Sequence, residues 1–380
     1  METVYDVAVI GGGIGGAAAA LRAAQHNLRV AWLLGDEGTA KASRAKYVYN
    51  VDNMVGVHPS IAQKKLAALL SAPEHAEARK LVEEAHLHLG TQDLVDEVVE
   101  RIGAQFERAD VVRRRVTSAA RTGDEFLLST PDGPVRARHV VLSTGVMDRQ
   151  PRIKVTTKSG KIIDEVSWVY PYANNETLLY CVICEGHLTR EVPTVVLGAS
   201  EAAGQVALML HERYGTKVSL LTNGEPLSAA EDTRRLLALY GLLVSEERVV
   251  EILDGGSKPR GASLRGFRLE AGGVVEARFA LVTMGLHRVY NELAVQLGAE
   301  LDERDGSLET RHVLVDEATS ETSVRGLFAV GDMSRRRGSA PSFKQIYTAQ
   351  EFAVRAVQVV DRRVRAARRA ELLRASAPTP

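Results

Sequence analysis

The first residues of the chain carry the pattern of a parallel-sheet unit. A short β-branched apolar run at residues 5–10 is followed by glycines and then by the alanine-rich, helix-forming residues 17–24. A second apolar run, residues 28–34, comes one helix later. The order strand, turn, helix and strand predicts a βαβ unit of a parallel sheet at the start of the chain.

Helical and meander patterns follow this opening unit. Residues 60–105 are rich in Ala, Glu, Leu and Lys and are interrupted at Pro73, which predicts a helical excursion. Residues 111–141 alternate short strand-like runs with turns at residues 122–124 and 131–134. This alternation predicts a small antiparallel meander.

A second strand-turn-helix pattern begins at residue 193. An apolar strand over residues 193–198 meets small residues at 199–204, and a helical stretch follows at 205–213. The next strand, residues 218–221, comes about 20 residues after the turn, as in the first unit. The repetition predicts a second nucleotide-binding-like βαβ unit in the same chain.

Composition and charge exclude several classes of protein. The 380 residues correspond to two domains at roughly 150 residues each. Lys plus Arg number 48 and Asp plus Glu number 48, so the formal charge is zero and neither nucleic acid nor an anionic membrane is an expected partner. No apolar run reaches the roughly 18 residues that span a bilayer, and the N-terminal residues lack a basic region and a small-residue cleavage site. We therefore expect a cytoplasmic protein without a membrane segment.

Glycines between the first strand and the first helix form a G-x-G-x-x-G motif. Gly11 permits the tight turn, Gly13 lets the backbone approach a pyrophosphate, and Gly16 allows close packing of the helix. An acidic residue is expected about 20 positions later to hold a ribose hydroxyl, and Asp36 lies 36 − 16 = 20 positions after the last glycine. Motif, context and acid together predict a dinucleotide site; the alternative is a glycine-rich turn that binds no ligand.

The chain has two cysteines, Cys181 and Cys184, which excludes a disulfide scaffold. Their i, i+3 spacing brings two sulfurs together on a helical turn, so a reversible disulfide is the expected product. A zinc site is the alternative, but His187 would complete only three ligands, which disfavours a metal. Glu185 follows directly and is either a carboxyl group that moves a proton on and off the leaving sulfur or a solvated surface residue.

In this order, the motifs resemble those of the low-molecular-weight thioredoxin reductases. Members of that family carry an N-terminal FAD glycine motif, an Asn-containing segment, an Ala-Thr-Gly turn, a Cys-x-x-Cys-Asp sequence, a second dinucleotide motif, and a terminal Gly-Asp followed by an Arg-Gln-Ala helix start. The matching segments of this chain cover nearly its whole length and are residues 50–56, 143–145, 181–187, 198–203, 331–332 and 344–346.

The resemblance implies an α/β fold with two Rossmann-like three-layer domains, the second inserted into the first. The FAD-binding domain then comprises residues 1–150 and 288–380, and a central domain, residues 151–287, carries the disulfide. Family members rotate one domain against the other, so the junctions near Pro151 and His287 are expected to be hinges. Family members are also homodimers, and we expect one here.

The cofactor that the resemblance implies is FAD. Cys184 is then the sulfur nearest the flavin, Cys181 attacks the disulfide of a partner, and Glu185 stands where the family's acid stands. The expected cofactor-binding residues are Gly11, Gly13, Gly16, Asp36, Asn53, Thr144, Gly145, Gly331, Asp332, Lys344, Gln345 and Ile346.

The second dinucleotide motif departs from the family pattern. Ser200 replaces the middle glycine, and Glu201 places a negative charge at the helix N-terminus, where a pyrophosphate needs positive potential. Residues 222–225 contain no arginine to clamp the 2′-phosphate of NADPH, and Glu225 at best favours NADH. The sequence therefore disfavours NADPH. Related branches without a nicotinamide site resemble this chain and use a second FAD near the disulfide, or take electrons from ferredoxin.

The sequence thus predicts an FAD-dependent disulfide oxidoreductase, which exchanges two electrons between the flavin and the Cys181–Cys184 disulfide and then with a thioredoxin-like or other disulfide protein. The expected donor is a second FAD or a protein such as ferredoxin. The alternatives are a conventional NAD(P)H-dependent thioredoxin reductase, a flavin-dependent reductase of a quinone or small oxidant, and a redox-sensing flavoprotein. The arginines at 335–337 clamp a phosphate, dock an acidic electron carrier, or form a solvated basic loop.

Overall fold

The computed structural model describes residues 3–41, 43–51, 53–85, 87–156, 162–255, 263–338 and 343–376. The chain divides into two compact units, one formed by Met1–Met147 with Arg288–Pro380 and the other by Asp148–His287. The strands Val146–Asp148 and Leu286–Val289 carry the chain between the units. Residue 52, part of the first segment matched to the family, lies outside the described residues.

A five-stranded parallel sheet forms the centre of the first unit. Its strands lie in the order Leu327–Ala329, Val140–Leu142, Val7–Ile10, Val30–Leu33 and Ala109–Val112. The β-branched runs at residues 7–10 and 30–33 are buried, which removes their apolar side chains from water. The βαβ unit predicted at the start of the chain is confirmed.

Three helices pack together with this sheet in one apolar core; they are Ile14–Gln25, Thr91–Gln105 and Ile346–Ala375. The first helix presents alanines to the core, and their small side chains let it approach the last helix closely. Its N-terminus is thereby fixed at the carboxyl edge of the sheet, directly after the glycine motif.

The remaining elements of the first unit follow the predicted patterns. The helical excursion at residues 60–105 is confirmed, with a 3₁₀ turn at Pro73–His75 between the helices Ser60–Leu69 and Ala76–Glu84. The antiparallel meander is also confirmed, as Ser118–Thr122, Glu125–Thr130 and Gly133–Ala137, and the short strand Val4–Tyr5 pairs with it in parallel. The smaller elements are the helices Glu37–Lys41 and Glu292–Gln296, the parallel strands Val313–Val315 and Ser334–Arg336, and 3₁₀ turns at Arg44–Tyr47, Glu303–Asp305, Leu308–Thr310 and Gly331–Met333.

The second unit repeats the parallel arrangement. Its central sheet has the strand order Leu178–Leu179, Phe279–Val282, Pro193–Leu197, Lys217–Leu221 and Leu243–Ser245. Val195 and Leu197 lie in the core shared with an antiparallel sheet, whereas Val196 lies in the core shared with the helix Glu201–Tyr214. The other elements are the antiparallel strands Val249–Asp254, Leu264–Leu269 and Val274–Glu276, the strand pair Ile153–Thr156 and Ile162–Glu165, the helices Val169–Asn174, Val182–Glu185 and Glu231–Leu239, and the 3₁₀ turn Gly186–Thr189.

Each unit is thus built on a parallel sheet with a strand-turn-helix motif at its centre, and the predicted α/β class with two Rossmann-like units is confirmed. Within the described ranges, no helix combines the length and the apolar composition that crossing a membrane requires.

Candidate flavin and disulfide sites

The three glycines of the first motif have different surroundings. A methyl group on Gly11, whose φ is +126°, would lie 2.1 Å from the carbonyl oxygen of Ser143, and one on Gly16 would lie 2.1 Å from the carbonyl oxygen of Gly11. Among the residues that the structure describes, a methyl group on Gly13 would meet only the Cβ of Ala45, at the ordinary contact distance of 3.8 Å. The first and third glycines therefore permit close packing, and the middle one leaves room for a ligand to approach its backbone.

The helix that follows this loop has the electrostatics of an anion site. Gly13 is its N-cap, and its first turn contains no acidic residue. The N–H groups and the dipole of the first turn therefore keep their positive potential. Together with the open position at Gly13, this arrangement fits the pyrophosphate of FAD.

The other predicted cofactor residues of this unit lie near the same edge. Ser143, Thr144 and Gly145 directly follow the strand Val140–Leu142, and Gly331 and Asp332 follow the strand Leu327–Ala329. These strands and the glycine-motif strand are neighbours in a parallel sheet, so their carboxyl ends lie together. The structure thus places three separate sequence segments around one edge.

Two further predicted cofactor residues, which are distant in sequence, are joined by a hydrogen bond. Asn53 Nδ2 donates a hydrogen bond to Gln345 Oε1 at 3.0 Å, although 292 positions separate them. Gln345 is buried and is the N-cap of the helix Ile346–Ala375, so Lys344 and Ile346 lie beside it in the chain. The direct roles of these residues in binding FAD stay predictions.

Two of the predicted residues also serve internal contacts. Thr144 donates its backbone N–H to Met333 Sδ at 3.3 Å and its hydroxyl to the carbonyl oxygen of Tyr290. Asp36 is exposed and accepts hydrogen bonds from the N–H and the hydroxyl of Thr39, at 2.8 and 3.0 Å. These hydrogen bonds from Thr39 lower the pKa of Asp36. Asp36 is therefore an ionised carboxylate at the end of the loop after the second strand.

Sequence reasoning missed Arg44. Its Nη1 donates to Asp332 Oδ2 at 2.8 Å, and both side chains are about one quarter exposed (27% and 23%). The two residues are 288 positions apart, and neither the motif nor the periodicity around residue 44 marks it. Only the folded chain brings an arginine to the predicted flavin contact Asp332.

The sequence leaves open whether the arginines at 335–337 clamp a phosphate, dock an acidic carrier or form a solvated loop, and the structure pairs each of them with acidic side chains. Arg335, 11% exposed, lies between Asp302 and Asp305, at 2.8 and 2.7 Å. The other two arginines also pair with acids: Arg336 with Glu317 and Glu351, and Arg337 with Glu300. Arg336 also lies 4.5 Å over the ring of Phe352. Hydrogen bonds from Arg304 and Arg335 hold the pKa of Asp302 well below its usual range. These arginines therefore form ion pairs within their own unit.

In the second unit, Cys181 and Cys184 form a disulfide with their Cα atoms 5.3 Å apart. Cys181 is the N-cap of the helical turn Val182–Glu185, and its Sγ accepts a hydrogen bond from the N–H of Cys184 at 3.1 Å. Ile183, between them, is 47% exposed. A backbone N–H that faces a sulfur stabilises its thiolate, so this turn favours Cys181 as a nucleophile once the disulfide is reduced.

The carboxylate of Glu185 accepts hydrogen bonds from the backbone at the start of the same turn. Its Oε2 accepts hydrogen bonds from the N–H groups of Tyr180 and Cys181, both at 3.1 Å. The hydroxyl of Tyr180 is bonded to Gln150, and burial, with the nearby negative charge of Asp148, raises the pKa of that hydroxyl. Tyr180 is therefore neutral and half-buried, and Glu185 fixes the backbone on the N-terminal side of the disulfide.

In the second strand-turn-helix motif, the side chain of Glu201 forms hydrogen bonds with neighbouring residues. The carboxylate of Glu201 accepts hydrogen bonds from the N–H of Ala230 at 2.7 Å, the hydroxyl of Thr233 at 2.7 Å and the amide of Gln205 at 2.9 Å. These hydrogen bonds, with the backbone bond from Ala230 the largest cause, lower the pKa of Glu201. An ionised carboxylate is thus fixed at the N-terminus of the helix Glu201–Tyr214.

The turn after the next strand is also bonded to its surroundings. The N–H of Ser228 donates to the carbonyl oxygen of Ala199 at 2.6 Å, which joins this turn to the motif loop. Asn223 donates to the carbonyl oxygen of Arg152 at 2.8 Å and accepts from the N–H of Val249 at 2.9 Å. Residues 222–228 contain no arginine. The second motif thus has a carboxylate at its helix N-terminus and a following turn without arginine, which are the features that weaken phosphate binding.

Comparison with known proteins shows the family to which the chain belongs. The model of the pyridine nucleotide-disulphide oxidoreductase family matches residues 5–353, and the chain therefore belongs to this family. The thioredoxin reductase of Treponema pallidum is 24% identical over 350 residues, which cover 92% of this chain and 94% of that protein. The NADPH-dependent thioredoxin reductase 3 of Arabidopsis thaliana is 26% identical over 338 residues, or 87% of this chain and 54% of that protein.

Among solved structures, the thioredoxin reductase of Streptococcus pyogenes superposes with a TM-score of 0.69 at 19% identity, over 96% of this chain and all of that one (100%). This likeness shows a shared fold. Family, fold and the Cys181–Cys184 pair together define a thioredoxin reductase-like flavoprotein disulfide oxidoreductase.

Proposed function

We propose that this protein exchanges two electrons between FAD and the Cys181–Cys184 disulfide, and then with the disulfide of a partner protein, without using NADPH. The observation that carries the proposal is the carboxylate of Glu201, which is ionised and hydrogen-bonded at the helix N-terminus where a nicotinamide cofactor would place its pyrophosphate. A phosphate at that position would meet like charge instead of the positive end of the helix.

The disulfide turn supports the exchange step. Reduction of the Cys181–Cys184 bond takes up two electrons and two protons and gives two thiols. The Cys181 thiolate, facing the N–H of Cys184, then attacks one sulfur of the partner disulfide. Cys184 attacks the mixed disulfide, which restores the Cys181–Cys184 bond and releases the partner as a dithiol. Bound FAD supplies the two-electron chemistry at the other end of the reaction.

The residues around the disulfide have two tasks in this proposal. Glu185 holds the N–H groups of Tyr180 and Cys181 and so keeps the Cys181 sulfur in place when the turn is reduced. Its carboxyl group is also the proton carrier for the sulfur that leaves in each exchange. Cys184 is the sulfur that faces the flavin when the two meet, and Cys181 is the one presented to the partner.

The charge at the second motif restricts which molecules can be the electron donor. The carboxylate of Glu201 disfavours the pyrophosphate of any dinucleotide, a second FAD included. We therefore propose that electrons come from a second flavin held outside this motif, near the disulfide, or from a small electron-carrier protein such as ferredoxin. The partner is a thioredoxin-like or other disulfide protein, and the working form is a cytoplasmic homodimer.

One measurement separates this proposal from its nearest alternative. Flavin is released from the purified protein and counted per chain, and the holoprotein is then mixed anaerobically with NADPH and with NADH while the flavin absorbance band is followed. We expect no bleaching with either nucleotide within minutes. Two FAD per chain identify a second flavin as the donor, and one FAD identifies a protein donor. Rapid bleaching by NADPH would overturn the proposal.

A conventional NADPH-dependent thioredoxin reductase is the second candidate. The names of the relatives favour it, and so does one contact, because the side chain of Arg248 packs against Gly224 beside the turn where a 2′-phosphate would lie. If NADPH bleaches the flavin of the wild-type protein and Arg248→Ala slows that bleaching while leaving the rate with NADH unchanged, this second candidate is correct.

A further inference from the structure

The 3₁₀ turn Arg44–Tyr47 lies against the glycine motif of the first unit. The Cβ of Ala45 is 3.8 Å from the position that a Cβ on Gly13 would take. Gly13 is the member of the motif that has no tight contact at its Cβ position, and it precedes the helix with no acid in its first turn. Arg44, one residue before Ala45, is therefore carried to the side of the predicted pyrophosphate site.

Buried hydrogen bonds fix this turn in place. The N–H of Thr91 donates to the carbonyl oxygen of Val48 at 3.0 Å, and the hydroxyl of Thr91 donates to the carbonyl oxygen of Ala45. Thr91 is 3% exposed and begins the helix Thr91–Gln105, which packs in the core of the unit. The backbone that carries Arg44 is thus attached to a rigid element.

The guanidinium of Arg44 is oriented by Asp332. The Nη1–Oδ2 distance is 2.8 Å, and Asp332 follows Gly331 at the carboxyl edge of the parallel sheet. A guanidinium has five N–H donors in a planar fork, so one arginine can contact a carboxylate and a phosphate at the same time. Phosphate oxygens match that fork.

Charge balance at the site points to the same assignment. A pyrophosphate carries negative charge, and a lone Asp332 carboxylate at this edge would repel it. Arg44 neutralises that carboxylate, so the ion pair no longer repels a phosphate beside the helix N-terminus. The arginines at 335–337, by contrast, pair with Asp and Glu side chains of their own unit.

We propose that Arg44, oriented by Asp332, binds the pyrophosphate of FAD. This inference depends on FAD binding in the first unit and not on which molecule supplies the electrons. A failure would therefore leave the proposal of NADPH independence intact, and the failure of that proposal would leave this one intact.

The test measures the retention of FAD by the full-length holoprotein. Holoprotein is diluted and equilibrated, free flavin is separated by ultrafiltration, and the dissociation constant is obtained from the free and bound fractions. Loss of a charge-assisted contact is expected to raise this constant by roughly tenfold to a hundredfold in Arg44→Ala. Arg44→Lys keeps the positive charge but loses the planar fork of donors. Its dissociation constant for FAD is expected to lie between those of the wild type and Arg44→Ala.

Arg79→Ala is the matched control. Arg79 also pairs with a carboxylate, Glu83 at 2.7 Å, but on an exposed helix turn. The Arg79→Ala variant removes the same charge from the same unit and is expected to leave the dissociation constant of FAD within about twofold of wild type. If Arg79→Ala weakens FAD binding as much as Arg44→Ala, the effect is one of net charge and the proposal is wrong.

A competition experiment separates a phosphate contact from a structural effect through Asp332. ADP, which carries the pyrophosphate, and adenosine, which does not, are compared as competitors for FAD. A phosphate contact predicts that Arg44→Ala weakens competition by ADP and not by adenosine. The proposal fails if Arg44→Ala retains FAD as wild type does, or if it weakens competition by ADP and by adenosine equally.

Discussion

The two strand-turn-helix motifs of this chain share a backbone plan and differ in the charge at the helix N-terminus. At the first motif, Gly13 leaves open space and the first helical turn carries no acid. At the second, Glu201 occupies the first turn and its carboxylate is bonded to the N–H of Ala230, the residue that precedes the next helix. The comparison teaches that a Rossmann-like unit keeps its fold while a few residues reverse its suitability for a pyrophosphate.

The largest expected effect separates the two units by function. We propose that FAD binds in the first unit and that the exchanging disulfide lies in the second, so Cys184→Ser is expected to lower reduction of a disulfide by on the order of 10³-fold or more while FAD stays bound. The measurement mixes photoreduced holoprotein anaerobically with 5,5′-dithiobis(2-nitrobenzoate) and follows the return of the flavin band.

Ile183→Ser serves as the control for this variant, because it places a serine in the same exposed turn and leaves both sulfurs. We expect it to react nearly as the wild type does. Retained turnover in Cys184→Ser would show that the cysteine pair is regulatory and would support the quinone or small-oxidant reductase instead.

A smaller effect, on FAD affinity, is expected when a carboxylate is introduced at the first motif. Gly13 has a φ of −93°, so its backbone accepts other residues. Gly13→Glu is expected to bind FAD about tenfold more weakly than Gly13→Gln, because the two side chains differ in charge and hardly in size. Equilibrium ultrafiltration of FAD measures this ratio. Equal affinities of the two variants would show that charge at the first motif does not control FAD binding.

The smallest expected effect concerns the stability of the second motif. The hydrogen bonds to Glu201 lower its pKa in the folded state, so they stabilise the fold above the unfolded pKa near 4.5, and this contribution is lost as the pH falls through the folded pKa. Glu201→Gln is therefore expected to unfold at a lower temperature than wild type at pH 7, with a difference that shrinks as the pH falls below 4.5.

Thermal unfolding followed by circular dichroism at several pH values measures this difference. Glu270→Gln removes one exposed carboxylate from the same unit and is the control. A difference between Glu201→Gln and wild type that stays constant down to low pH would show that the carboxylate of Glu201 is not held as described.

Local patterns carried much of the prediction. The glycine motif, the second βαβ unit and the Cys181–Cys184 pair are each written in a few consecutive residues, and the structure shows the expected strands, helices and disulfide there. Their geometry follows from short-range constraints such as the turn that a glycine permits.

Contacts between distant segments could not be found in this way. No periodicity relates Arg44 to Asp332 or Asn53 to Gln345, because only the packing of the sheet and helices brings them together. The ion pairs of the arginines at 335–337 could not be predicted for the same reason, since the acids that pair with them lie elsewhere in the sequence. The position of Glu201 after the second motif is visible in the sequence, whereas its bond to Ala230 required the fold.

The central claim is that the second motif does not accept a nicotinamide cofactor. Titration calorimetry of NADPH into the wild-type holoprotein under anaerobic conditions tests it directly. The account predicts no saturable binding up to about 1 mM NADPH, which corresponds to less than about 4 kcal/mol of binding free energy. Saturable binding in the micromolar range would contradict it and would make this protein a nicotinamide-dependent reductase.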